Sequence, residues 1–411
     1  MSQSLGKLNN LSPEVRQYMM VTGNYWAFTL TDGALRMLVV LHFHQLGYSP
    51  LQIAMLFLFY EFFGVVTNLV GGWLGARLGL NKTMNIGLFL QIVALGMLLV
   101  PTALLTVPLV MSAQAISGIA KDLNKMSAKS AIKSLVAKGQ DGKLYRWVAL
   151  LTGSKNTLKG VGFFMGGLLL ALFGFQGAIL LMALMLLAVW IISLIKLKQD
   201  LGRSKAKPKF SQIFSKSAAI NYLSAARMFL FGARDVWFVV ALPVYLSSQM
   251  NWSHTFVGSF LALWIIGYGV IQTLAPKITG SKTGNVPTGS TAFSWALVLA
   301  VIPALIASAL YFNVSPQIAL LGGLLLFGVI FAINSSLHSF LIVHMATDDG
   351  VSLDVGFYYM ANAMGRLIGT VLSGWVYQAY GLEMCLLVSA VFVIIAAILS
   401  LLIPKPDSVQ A

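Results

Sequence analysis

Apolar residues run along this chain in long blocks separated by short polar joints. Blocks such as AILLMALMLLAVWIISLI (178–195) and CLLVSAVFVIIAAILSLLI (385–403) are about the ~20 residues that a helix needs to cross a bilayer. Membrane-spanning strands would alternate in polarity over ~10 residues, and no block here does. The pattern predicts twelve helical spans, near 20–45, 51–75, 83–105, 108–130, 146–172, 177–196, 219–246, 254–275, 288–311, 317–345, 357–379 and 383–403. Turn signals at LGYSP (46–50), Pro101, Pro108 and Gly381 mark the joints. One connection is long, KLKQDLGRSKAKPKFSQIFSKS (196–217), with seven Lys/Arg and one Asp, between the sixth and seventh spans.

Composition strengthens the membrane reading. The chain has 411 residues, 58% hydrophobic and only 9% charged, with mean hydropathy +0.83; a soluble domain carries roughly a quarter charged residues. The expected fold class is therefore all-α and integral to the membrane. A net charge of +15 would suggest nucleic acid in a soluble protein, but in a membrane chain the positions of the charges matter more than their sum. No nucleic-acid partner is expected; the lipid bilayer is. Lys7, Arg16, Arg77, Lys82, Lys138, Lys143, the central run, Lys277, Lys282 and Lys405 fall on one side of the predicted spans, and the opposite loops hold no Lys or Arg. The positive-inside rule then puts both termini in the cytoplasm. The N-terminus lacks the pattern of a cleaved signal peptide. Lone Cys385 allows no intrachain disulfide and no site of several thiolates.

The two halves echo each other. KGVGFFMGGLLLALFG (159–174) aligns without gaps with RLIGTVLSGWVYQAYG (366–381), pairing Lys159/Arg366, Gly162/Gly369, Gly167/Gly374 and Gly174/Gly381. GALRMLVVL (33–41) loosely matches GARDVWFVVA (232–241). Residues 1–195 and 219–411 thus read as pseudo-symmetric six-helix bundles joined by a basic cytoplasmic linker, 196–218, as transporters of the major facilitator class are built. The loop GGWLGARLGLNK (71–82) resembles that superfamily's loop signature through Gly72, Arg77, Gly79 and Lys82, with Ala76 where the family usually has an acid.

Charges inside the spans give the sign of the cargo. They are Asp32, Arg36, Glu61, Lys121, Asp122, Lys125, Lys129, Lys155, Lys159, Arg227, Arg234, Asp235 and Arg366, nine cations against four anions. Each alone would cost at least ~2.5–3.5 kcal/mol at a helix centre. Acids can neutralise four cations at most, so an anionic substrate is expected to supply the missing counter-charge. Candidate substrate ligands are Arg36, Lys121, Lys125, Lys155, Lys159, Arg234 and Arg366; Asp32, Glu61 and Asp235 are candidates for proton carriage or charge compensation. The bland alternatives are an Asp32–Arg36 pair at i, i+4, and lysines that snorkel to lipid phosphates, the reading favoured for Lys129 and Lys133. Arg234 and Asp235, adjacent on one helix, point apart and are not expected to pair. His42, His44, His338 and His344 have no acid or cysteine partners at metal-ligand spacing, so no metal site is expected, and no cofactor or catalytic cluster either. The glycines 160, 162, 166 and 167 read as close helix packing.

Longer strings narrow the family. GNYWAFTLTDGALRMLVVLHFHQLGYSP (23–50), SGIAKDLNKMSAKSAIK (117–133), LYRWVALLTGSKNTLKGVGFF (144–164) and FLFGARDVWFVVALPVYL (229–246) resemble the ArsJ organoarsenical efflux permeases of bacterial arsenic-resistance operons. That resemblance implies export of 1-arseno-3-phosphoglycerate across the bacterial inner membrane; a multi-pass, monomeric protein is expected. It also implies a functional partnership with glyceraldehyde-3-phosphate dehydrogenase, which makes the compound from arsenate. The major facilitator fold implies a cavity lined by the first, fourth, fifth, seventh, tenth and eleventh spans. An anion would enter past Lys121 and Lys125 and be held by Arg36, Lys155 or Lys159 and by Arg234 or Arg366. Another organic or phosphorylated anion fits the same charges; a multidrug/proton antiporter shares the fold but calls for an acid-rich cavity.

Overall fold

A computed structural model describes residues 12–48, 56–197, 203–204, 209, 216–280 and 286–404. Lys7, Lys282, Lys405 and most of the 196–218 linker lie outside the described residues. Among those described, every regular element is helical: α1 Pro13–Gln45, α2 Leu58–Leu78, α3 Leu80–Met97, α4 Val107–Leu135, α5 Asp141–Lys196, α6 Ala218–Phe238, α7 Ala241–Ser248, α8 His254–Ile278, α9 Gly289–Tyr311, α10 Pro316–Met345 and α11 Val351–Leu401, with a 3₁₀ turn at Thr102–Leu104. Local chemistry starts several of them. Ser12, Ser217 and Ser253 accept from backbone N–H groups three residues on, and Thr288 with Thr291 forms a capping box. Among the described residues six helical stretches are long and apolar enough to cross a membrane by length and composition: Asp141–Lys196, Ala218–Ser248, Phe256–Ile278, Gly289–Tyr311, Pro316–Met345 and Val351–Leu401.

Two of those stretches are bent pairs. α5 breaks at Gly174 (φ 66°, ψ −179°) and α11 at Gly381 (φ 81°, ψ −176°). Both conformations lie where side-chain-bearing residues are strained, so glycine is required. The breaks fall between the predicted fifth and sixth spans and between the eleventh and twelfth, at the two glycines the repeat aligned.

The described chain forms two compact units. One comprises Met1–Trp147, Leu158–Ile213 and Ala346–Gly356; the other comprises Val148–Thr157, Phe214–Met345 and Phe357–Ala411. Each unit therefore holds a short segment from the opposite half. In the first, Gly72 of α2 lies against Ser352 and Gly356 at the start of α11, and the Ser352 hydroxyl donates to the Gly72 carbonyl at 2.8 Å. In the second, Gly153 near the start of α5 lies against Gly269 and Thr273 of α8. Ala76, standing where the loop signature usually has an acid, is fully buried, and its carbonyl accepts from the Ser204 N–H at 2.8 Å.

The repeat is visible in packing as well. Within the first unit Gly33 of α1 meets Gly162 of α5, and a Cβ on Gly162 would stand 2.8 Å from the Leu30 carbonyl. Within the second, Gly232 of α6 meets Gly369 of α11, where a Cβ would stand 2.7 Å from the Gly232 carbonyl. The outer faces match too. Val161, Phe164 and Leu168 are exposed on α5, and their aligned partners Ile368, Val371 and Trp375 are exposed on α11. Apolar stripes this exposed suit hydrocarbon rather than water.

Candidate functional site

In the first unit the charges gather around Tyr60. Its hydroxyl donates to Asp32 at 2.7 Å, while the Arg36 guanidinium and the Lys121 ammonium lie 4.6 and 3.9 Å from its ring centroid. Arg36 Nη2 bonds Glu61 at 3.0 Å, and Arg36 Nε is buried without a hydrogen-bond partner. The pair anticipated within α1 is therefore replaced by a bridge from α1 to α2, with Asp32 turned to the tyrosine. Farther along α4, Asp122 is 1% exposed and sits between Lys125 at 2.6 Å and Lys121 at 3.9 Å.

Lys129 and Lys133 correct the snorkelling expectation. α4 packs along α1, α2 and α3, so its lysine face is enclosed by protein. Lys129 is only 4% exposed. Lys133 donates to the Ala346 carbonyl and lies 3.7 Å from Asp348, which also accepts from Lys138 at 2.6 Å. These last groups lie beyond the predicted span. The hydrogen bond from Lys138 holds the Asp348 carboxyl below its usual range, against partial burial. Burial pulls the Lys133 ammonium down and outweighs the Asp348 charge.

In the second unit Asp235 is fully buried and bracketed by two arginines, Arg234 Nη2 at 2.5 Å and Arg366 Nε at 3.0 Å. The expectation that Arg234 and Asp235 would not pair is overturned. Adjacent Cβ atoms on a helix do diverge, but the arginine side chain is long enough to curl back onto a carboxylate that cannot leave. The second bond, from α11 to α6, joins the aligned halves of the Gly232–Gly369 contact.

Lys155 and Lys159, predicted on one face, are divided between the units. Lys155 donates to Asn156 at 3.3 Å, and Asn156 bonds Gln272 of α8 in the second unit. Lys159 stays in the first, its carbonyl against Gly33. Arg227, counted among the intramembrane cations but not chosen for the site, is 2% exposed; its Nε donates to Asn362 at 2.9 Å and its Nη1 to the Ser335 carbonyl at 3.1 Å. The available signal was the polar cluster NSSLHS (334–339) inside an otherwise apolar helix.

Five cations (Arg36, Lys121, Lys125, Arg234 and Arg366) thus share three carboxylates, Glu61, Asp122 and Asp235. An acid held between two cations leaves a local excess of positive charge. Such a cluster suits transient recognition of an oxyanion through charge-assisted bonds.

Comparison with known proteins follows the same lines. Among curated proteins the sequence finds no match. Among solved structures the human organic anion transporter MFSD10 (TETRAN) superposes with TM-score 0.74 at 16% identity, covering 95% of this chain and 100% of that one. The E. coli fucose:proton symporter FucP gives 0.73 at 12% identity, covering 96% and 100%. A bacterial homologue of the iron transporter ferroportin, in an outward-facing state, gives 0.71 at 16% identity, covering 93% and 98%. Likeness at these identities establishes the fold. The family model for the Major Facilitator Superfamily matches residues 21–337 and again 223–411. Matched nearly end to end, with a second half that repeats the helix contacts of the first, the chain belongs to the Major Facilitator Superfamily and is a secondary transporter rather than an enzyme.

Proposed function

We propose that this transporter exports an organic anion, and specifically the organoarsenical 1-arseno-3-phosphoglycerate, from the bacterial cytoplasm by alternating access, giving arsenate resistance. The observation that carries the anionic part is the buried charge balance, with Asp122 and Asp235 each bracketed by two cations. A cationic-drug antiporter would want acids available to its substrate, whereas Glu61, Asp122 and Asp235 are all engaged by cations of the chain itself. The arsenical part rests on the resemblance of residues 23–50, 117–133, 144–164 and 229–246 to the ArsJ permeases. Its chemistry fits: the cargo carries two oxyanion groups on a short carbon skeleton, and its pentavalent, oxygen-bound arsenic needs no thiolate cluster. In this reading the protein acts as a monomer in the inner membrane with both termini cytoplasmic. Glyceraldehyde-3-phosphate dehydrogenase supplies the substrate, and Lys121 and Lys125 meet it first. Arg36, Lys155, Lys159, Arg234 and Arg366 are the proposed ligands of its oxyanions.

Uptake of arsenic into everted vesicles supplied with arsenate and glyceraldehyde 3-phosphate tests the reading. Uptake is expected only when the dehydrogenase is added, and Arg366→Gln and Lys159→Gln are each expected to lower it about tenfold, the scale of a lost charge-assisted bond. Uptake of arsenic without the dehydrogenase would assign free arsenate as cargo; wild-type rates in both variants would remove these cations from the site.

A further inference from the structure

Arg227 is the one intramembrane arginine for which, among the described residues, no carboxylate lies within ion-pair distance. Its two hydrogen bonds, to Asn362 and to the Ser335 carbonyl, use two of five guanidinium N–H groups, and Nη2 makes none. A buried guanidinium held only by neutral acceptors is costly, because nothing offsets the loss of its hydration.

The surrounding side chains are donors without partners. His338 is fully buried with neither ring nitrogen hydrogen-bonded, and the hydroxyl of fully buried Tyr358 is likewise unbonded. Both lie within the electrostatic reach of Arg227, whose guanidinium carbon is 5.3 Å from the Tyr358 ring centroid. Ser335 stands beside Tyr268, and Ser339 beside Tyr358 and Tyr359. A fully buried histidine with neither nitrogen paired is rare in native interiors, and this one faces a fixed positive charge. Among the described residues no acid lies within ion-pair distance of Arg227.

Placement on α6 adds a distance argument. Arg227 and Arg234 are two turns apart on one face and share the Phe231 ring, their guanidinium carbons 3.9 and 5.1 Å from its centroid. The second unit thus presents cationic groups at two levels on either side of one aromatic ring. The first, Arg234 with Arg366, is held by Asp235; the second is Arg227 with its neutral donors.

We infer that Arg227, with His338 and Tyr358, forms a second oxyanion subsite, which takes one terminal oxyanion group of a two-headed substrate while Arg234 and Arg366 take the other. The inference rests on the anion-transport reading and adds to it a demand on cargo shape: two oxyanion groups separated by a short skeleton that can lie along Phe231. The same chemistry would accept free inorganic phosphate, and the experiment separates the two sources.

Calorimetric titration of the purified full chain in nanodiscs, with 3-phosphoglycerate and separately with inorganic phosphate, tests it. Tyr358→Phe is the principal variant. It removes one hydroxyl with only the Ser339 hydroxyl beside it and no hydrogen bond of ordinary geometry, so the fold is expected to keep its thermal midpoint. If the hydroxyl serves an oxyanion, binding of 3-phosphoglycerate weakens about tenfold; Arg227→Lys, which loses the fork, weakens it further. Weakening confined to 3-phosphoglycerate assigns the subsite to the substrate's second group, and equal weakening for inorganic phosphate assigns it to the free ion. Wild-type binding of 3-phosphoglycerate unchanged within twofold in both variants overturns the subsite while leaving anion transport standing. Absence of binding by the wild-type protein to either probe overturns both.

Discussion

Asp235 and Glu61 make the same kind of bond and should respond differently to its loss. Asp235 is fully buried between two arginines, whereas the Glu61 side chain is 36% exposed beside Arg36. Asp235→Asn leaves partly buried Arg234 and one-third-exposed Arg366 without their shared counter-charge, which is expected to cost about 2–3 kcal/mol of stability. Glu61→Gln exposes Arg36 to a wetter surrounding and should cost under about 1 kcal/mol. Thermal unfolding in detergent compares them; equal losses would mean that Asp235 is not the linchpin drawn here. Sequence reasoning counted these charges correctly, because excess cations in apolar blocks are plain in the residue string. It misassigned their partners, because helix geometry fixes where a Cβ points and not how far a guanidinium reaches. Tyr60, which gathers Asp32, Arg36 and Lys121, had no signal of its own among the aromatics of its span.

At the scale of helices the repeat was the most legible feature, since glycines at matched offsets survive as matched contacts. Gly162→Ala and Gly369→Ala each drive a methyl into a backbone carbonyl on the facing helix. Helices at such contacts must separate, so a loss of about 1–3 kcal/mol is expected in each. Gly374, equally prominent in the alignment, has nothing within 4 Å of where a Cβ would stand, so Gly374→Ala should leave thermal stability and transport unchanged. Transport and unfolding assays on the three variants check the contrast. Spacing alone could not separate these glycines, because it does not say which face meets another helix and which meets lipid.

Across the whole molecule, the exchanged segments are the part sequence could not show. Residues 346–356 pack in the first unit through Ser352 on Gly72 and through Lys133 and Lys138 on the 346–348 turn. Thr347 is in turn held by Asp354, which accepts from its N–H at 3.0 Å and its hydroxyl at 3.1 Å. The residue string marks these lysines only as a basic cluster at a helix end; it does not show that they bond protein rather than lipid. Because the Asp348 pKa is depressed in the folded state, its contribution is complete above the ordinary carboxylate range and is lost only as pH falls through the lowered value. Exposure of its side chain keeps that contribution small. Protection factors of the amides in 346–356, which remove the intrinsic fall of exchange with pH, are therefore expected to stay level from neutral to mildly acidic pH and to be lower in Asp348→Asn over that range. Protection that falls near pH 6 in the wild type would assign the control to another group.

The paired glycine contacts also set unlike charges on like backbones. Arg36 and Asp235 occupy the same place in the repeat, three residues beyond Gly33 and Gly232. In one copy that place holds a base, and in the other an acid that quiets the arginine on its neighbouring helix. Helix contacts of one design can in this way carry opposite charges, without either copy having to change its shape.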